Sequence, residues 1–131
     1  MNIRAQSEIL DEFGKTLIER VNDLTIEEVH SLLEHKRRHP TVDRIDALIL
    51  QGNHQEAISL VVAFSVEMTI AAMLRAIDES HLHCVYISTD LRKALDLSCQ
   101  SDASLMGQFM STHPSSWRPQ WSRFWGPESG E

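Results

Sequence analysis

Residues 57–77 read AISLVVAFSVEMTIAAMLRAI, and this run limits what the chain can fold into more than any other part of it. Apolar side chains fall on nearly every helical face, Ile58, Val61, Val62, Phe64, Val66, Ile70, Leu74 and Ile77 among them. A helix that is apolar all round must be surrounded, by protein or by lipid. Charge separates the two environments, because an ionised group at bilayer depth is costly. Glu67 stands at the middle of the run and Arg75 near its end. Both argue against a membrane span and for the central helix of a bundle, with a second use as a homodimer interface. Asn53 and Glu56 form a capping-box pattern, so the helix is expected over about 54–80.

The segments before it supply three more helices. Ser7 is expected to cap the first, in which Ile9, Phe13, Leu17, Val21 and Leu24 recur with the helical period. Glu8, Glu12, Lys15, Glu19 and Asp23 fall on the opposite, solvated side. Thr25 and Glu28 make a second capping box, opening a helix with Val29, Leu32 and Leu33 turned inward. That helix closes in KRRHP, where Lys36, Arg37 and Arg38 suit the negative end of the dipole and Pro40 stops continuation. A third helix over about 41–51 carries Ile45, Leu48 and Ile49 and ends at Gly52. The stretch IDALILQGNHQEAI, residues 45–58, resembles the helix–Gly–Asn–helix turn of tetratricopeptide-type hairpin repeats. The resemblance implies an antiparallel helical pair and no activity, and it reaches no further along the chain.

Beyond the central helix, LHCVYIS at 82–88 is β-branched and aromatic but has no evident partner strand, so an extended connector is expected. Ser88 or Thr89 then caps a helix through about Cys99 on Leu91, Ala94 and Leu95. Ser101 or Asp102 starts another with Leu105, Met106, Phe109 and Met110, in which Ala103 and Gly107 would permit a close helix crossing. All three tryptophans, Trp117, Trp121 and Trp125, recur at intervals of four, and Pro119 suits a first helical turn. This spacing predicts a short helix over about 118–125 with one aromatic face, followed by a disordered end at 127–131. The expected fold is all-α: a single domain over 1–131, with six to seven helices around the helix at 54–80 and at most one short extended segment at 82–88.

Charge narrows the function. Nineteen acidic residues against twelve basic ones leave a net charge of -7 in 131 residues, which disfavours binding to nucleic-acid phosphates. It suits a basic protein partner instead. Two cysteines are too few for a disulfide framework and fit a reducing compartment. The first residues lack the apolar core of a secretory signal, so a cytoplasmic location is expected. No phosphate loop, dinucleotide glycine pattern or nucleophile elbow is present, and no cofactor is implied.

Several constellations carry alternative readings. His81, His83 and Cys84 bring zinc donors together within four residues, yet a fourth ligand at a diagnostic spacing is missing. A helix end followed by a buried cysteine is the simpler account. His35 and His39, four apart, either clamp an ion or join Lys36, Arg37 and Arg38 at the helix terminus. Glu27 with His30, and Asp78 with His81, have the spacing of di-iron bundles, but of the further inward carboxylates such a site needs, Glu67 alone is well placed. Glu67 is either an acid or base in an apolar pocket, a carboxylate paired with Arg44, Arg75 or a terminal arginine, or one at the helix's least buried edge.

The favoured function is a small acidic protein-binding module, an adaptor, inhibitor or immunity-type protein that masks a partner surface. It would meet that partner through Glu8, Glu12, Glu19, Asp23, Glu27 and Glu28, or through Trp117, Trp121 and Trp125, a residue type rich in interface hot spots. The tryptophan face is otherwise expected to fold back and seal the core. The rival is a metal-dependent or acid–base enzyme built on Glu67 and nearby histidines.

Overall fold

A computed structural model describes residues 2–90, 92–99 and 104–125 of the chain. Helix α1 (Ile3–Leu17) begins before Ser7, because the Asn2 side chain accepts a hydrogen bond from the Ala5 amide and satisfies a first-turn donor. The chain does not break at Thr25. A π-turn (Ile18–Asn22) leads straight into α2 (Asp23–Leu33), so the amides near Thr25 already have helical partners and the expected capping box has no orphan donors to serve. Thr25 Oγ1 is buried without a hydrogen-bond partner, and Glu28 pairs with Arg37. The rod ends where His35 adopts a φ of 60°.

Helix α3 (Pro40–Leu50) is capped by His39, whose Nδ1 accepts from the Thr41 amide at 3.1 Å. Gly52 closes it at a φ of 75°, with the Gly52 amide donating to Ile49 and the Asn53 amide to Leu48. This is the reversal expected from the Gly–Asn pair, and α4 (His54–Asp78) packs against α3. Ser80, at a φ of 63°, ends α4 just before the expected limit.

The region after α4 departs from the sequence reading. Strands β1 (Val85–Ile87) and β2 (Ala94–Asp96) form an antiparallel hairpin with Tyr86 opposite Leu95. It replaces both the unpaired connector and the helix expected through Cys99. Val85, Tyr86 and Ile87 are weak helix formers that gain cross-strand neighbours, and Arg92 turns the chain at a φ of 53°. Helix α5 (Leu105–Met110) is capped by Ser104, and Asp78 at the end of α4 takes its first amides; the expected caps Ser101 and Asp102 lie outside the described residues. Leu105 and Met106 donate to that carboxylate at 2.8 and 3.0 Å. The Ala103 half of the expected close crossing, and the end at 127–131, lie outside the described residues. Helix α6 (Trp117–Trp121) stops short of the expected limit at 125.

Two buried clusters hold these elements. Val21, Ala76, Ile77, Leu82 and Leu105 form one around the end of α4, with Trp117 packed against it. Leu32, Val42 and Phe64 form the other between α2, α3 and α4. Because α1, the π-turn and α2 are continuous, the described residues contain five helical bodies beside the hairpin, not six or seven.

Helix α4 is not surrounded, contrary to what its all-round apolar sequence predicts. Its neighbours bury Ala57, Phe64 and Ala71 on one side, whereas Ile58, Val62, Val66, Ile70 and Met73 stay 65, 58, 54, 40 and 38 % exposed on the other. The helix is long and apolar enough to cross a membrane by length and composition. An apolar sequence states what surface a helix offers, but not which of its neighbours arrive to cover it.

Candidate functional site

Helix α1 projects as an arm. None of its residues is buried, although Ile3, Leu10, Phe13 and Leu17 follow one helical face at intervals of seven, three and four. Ile3 is 85 %, Leu10 68 % and Phe13 49 % exposed, while Leu17, at the end, reaches the cluster around Val21. Val21 in the π-turn is the buried anchor that fixes the rod to the body. The apolar face therefore belongs to a helix that lies outside the buried core.

The carboxylates surround this arm and its continuation. Glu8, Glu12, Glu19, Asp23 and Glu27 are exposed, as is Asp11, and Glu28 is half-buried. Between residues 3 and 33 seven carboxylates outnumber three cations, so the rod holds over half of the chain's net negative charge. Arg4 bonds Glu8 at 3.2 Å and Lys15 approaches Glu19 at 4.0 Å. These are exposed i,i+4 pairs that support the helix weakly.

Glu67 is paired. Its carboxylate meets the Arg118 guanidinium at 3.0 Å, both side chains being mostly covered. Arg118 also donates to the Phe109 carbonyl at 2.8 Å and lies over the rings of Phe109 and Trp125. A terminal arginine thus ties the tail to the middle of α4, and the tail's arrangement follows from it. Trp117 packs into the core cluster, Trp125 stacks on Arg118 beyond the helix, and Trp121 remains 70 % exposed. The three tryptophans do not share one helical face, because α6 ends at Trp121. Arg118 is the organising residue that the tryptophan spacing hid. Its legible signal was a cation set among aromatic residues in a chain whose long apolar helix carries one carboxylate at its middle.

The histidines are dispersed. His35 lies 3.3 Å from Asp46, His81 3.6 Å from Glu79 and His83 2.8 Å from Asp96, while His39 caps α3 and its ring packs against Phe64. Cys84 is half-buried, its amide donating to Ser98. Among the described residues no three His, Cys, Asp or Glu side chains are placed to hold one metal ion. A cleft of about 320 Å³ separates the rod from α4, lined by Arg20, Thr25, Glu28, Met68, Arg75 and His81 among others. Glu67 is not part of its lining, so the mid-helix carboxylate and the cleft are separate features.

No protein-family model, curated protein or solved structure matches this chain. Among the surfaces described, the α1 arm joins the exposed side chains of Ile3, Leu10 and Phe13 to the net negative charge of the rod.

Proposed function

We propose that this chain is an acidic protein-binding module that recognises its partner by laying α1 into an apolar groove on that partner. The observation that carries this reading is a fifteen-residue helix that carries Ile3, Leu10, Phe13 and Leu17 along one face and has no buried residue. Helix-in-groove recognition uses anchors at such intervals, and Leu10, Phe13 and Ile3 are exposed and correctly spaced for it. The carboxylates on the remaining faces favour a partner whose groove is bordered by Lys and Arg, through steering and exclusion of acidic competitors. Masking a basic partner in this way is the action of an adaptor or inhibitor. Trp121, exposed at the other end of the chain, is a second contact point of the hot-spot type.

The test is affinity capture from the native host with the full chain and two variants. Leu10→Asp combined with Phe13→Asp removes two anchors, each worth about 2 kcal/mol in a hot spot, or roughly thirtyfold in affinity. A specific captured protein is expected to be lost, with the circular dichroism of the body unchanged. Glu8→Lys with Glu12→Lys is expected to slow association and flatten its salt dependence. Capture unaffected by both variants contradicts the proposal.

A further inference from the structure

We infer that the uncovered face of α4 is the seam of an isologous homodimer, in which two copies of α4 cross antiparallel at Val66. This goes beyond the role proposed for α1 and does not depend on it. Ser59, Val62, Val66, Thr69 and Met73 recur at intervals of three, four, three and four, the spacing that seats one helix along another. All five are outside the buried side of α4, and Ile58 and Ile70 border them with 65 and 40 % exposure. The one charged residue between 57 and 74, Glu67, lies on the flank about 100° round the helix from Val66 and is held by Arg118. Two such faces therefore meet without burying a charge, which two copies of an acidic chain require. Thr69 keeps its hydroxyl satisfied within the helix, donating to the Ser65 carbonyl at 2.8 Å.

Area points the same way. A compact monomer of this mass exposes about 7,000 Å², whereas this chain exposes 9917 Å². The excess of roughly 2,900 Å² per chain exceeds the roughly 1,000–2,500 Å² that each half of an obligate homodimer covers, so it leaves room for such a seam. Part of it belongs to α1, and the α4 face supplies five large apolar side chains more. A second copy suits the stripe better than lipid does. From residue 58 to 73 it spans about 22 Å of helix, short of the roughly 30 Å of a bilayer core, and the opposite side of α4 is packed on α2, α3 and α5. Crossing at Val66 sets Val62 against the partner's Ile70 and Ser59 against the partner's Met73, and repeats both contacts by symmetry.

The experiment is sedimentation of the full chain over a wide concentration range, with Val66→Lys and, in a Cys84→Ser, Cys99→Ser background, Val66→Cys. The expected result is a species of twice 14.9 kDa for the unmodified chain. For Val66→Lys a folded monomer is expected, its dimer dissociation constant raised roughly a hundredfold or more by the unpaired charge in the seam. Val66→Cys is expected to form a disulfide dimer on mild oxidation, because a residue on the two-fold axis faces itself within disulfide reach. Ile58→Cys in the same background is expected not to. A chain that stays monomeric overturns the inference, as does a dimer indifferent to Val66→Lys. Flotation of a monomeric chain with phosphatidylcholine vesicles overturns it in favour of lipid. Because α1 is untouched in every variant, failure here leaves the role of the arm to be judged by its own capture experiment.

Discussion

Arg118 illustrates how much one side chain at the periphery can organise. It closes an ion pair with Glu67, caps a carbonyl at the end of α5 and stacks on two rings. Arg118→Ala leaves Glu67 partly covered and without that partner, and is expected to destabilise the fold by about 2 kcal/mol in urea titration. Glu67→Gln is expected to cost less, and a double-mutant cycle to return a coupling between the two positions. The tryptophans separate in the same assay. Trp117→Ala is expected to cost about 3 kcal/mol, because it removes packing from the cluster around Val21. Trp121→Ala is expected to stay within about 0.5 kcal/mol, its ring being mostly in solvent. Pairing of Glu67 with a terminal arginine was legible from the sequence as one of three options. Which arginine it would be was not, since a partner eight helical residues or fifty sequence positions away leaves no mark on local periodicity.

At the scale of elements, local chemistry was a sound guide wherever a turn fixed itself. The α3–Gly52–α4 reversal followed from a glycine that the left-handed region accepts and from flanking apolar periodicity. The hairpin at 85–96 was missed because Ala94 and Leu95 also suit a helix, and only the pairing of Tyr86 with Leu95 decides. Propensity is a weak prior when a cross-strand neighbour is available. The break expected at Thr25 failed for a related reason: a cap is useful only where a helix begins. The arm α1 allows a clean element-level test. Gly14 has open space where a Cβ would stand, so Gly14→Ala is expected to raise local helix stability by about 1 kcal/mol. That gain should appear as roughly fivefold slower amide exchange within α1, with the global melting temperature nearly unchanged, because α1 opens without the core.

For the whole molecule, burial is one-sided. The two clusters, around Val21 and around Phe64, leave Ile58, Val62, Val66, Ile70 and Met73 of α4 uncovered, and the sequence could not reveal this because all faces of α4 read alike. If a second copy covers the open side, folding and association are linked, and the melting temperature is expected to rise with protein concentration. Scanning calorimetry across a wide dilution series checks this, with Val66→Lys expected to abolish the dependence. Phe64→Ala, by contrast, is expected to remove about 3–5 kcal/mol at any concentration, because that ring is enclosed within one chain.

The π-turn at Ile18–Asn22 has a consequence for how this rod is indexed. One additional residue in a helical ladder advances every later side chain by about 100° relative to the earlier ones. The phase of the segment that grips the body is thereby set independently of the phase of the segment that leaves it. Inserting one alanine after Gly14, in the regular α-helical part of the rod, would keep both segments helical while rotating one against the other by about a quarter of a revolution. Such a variant changes only where the arm aims, and so separates bearing from chemistry in whatever the arm contacts.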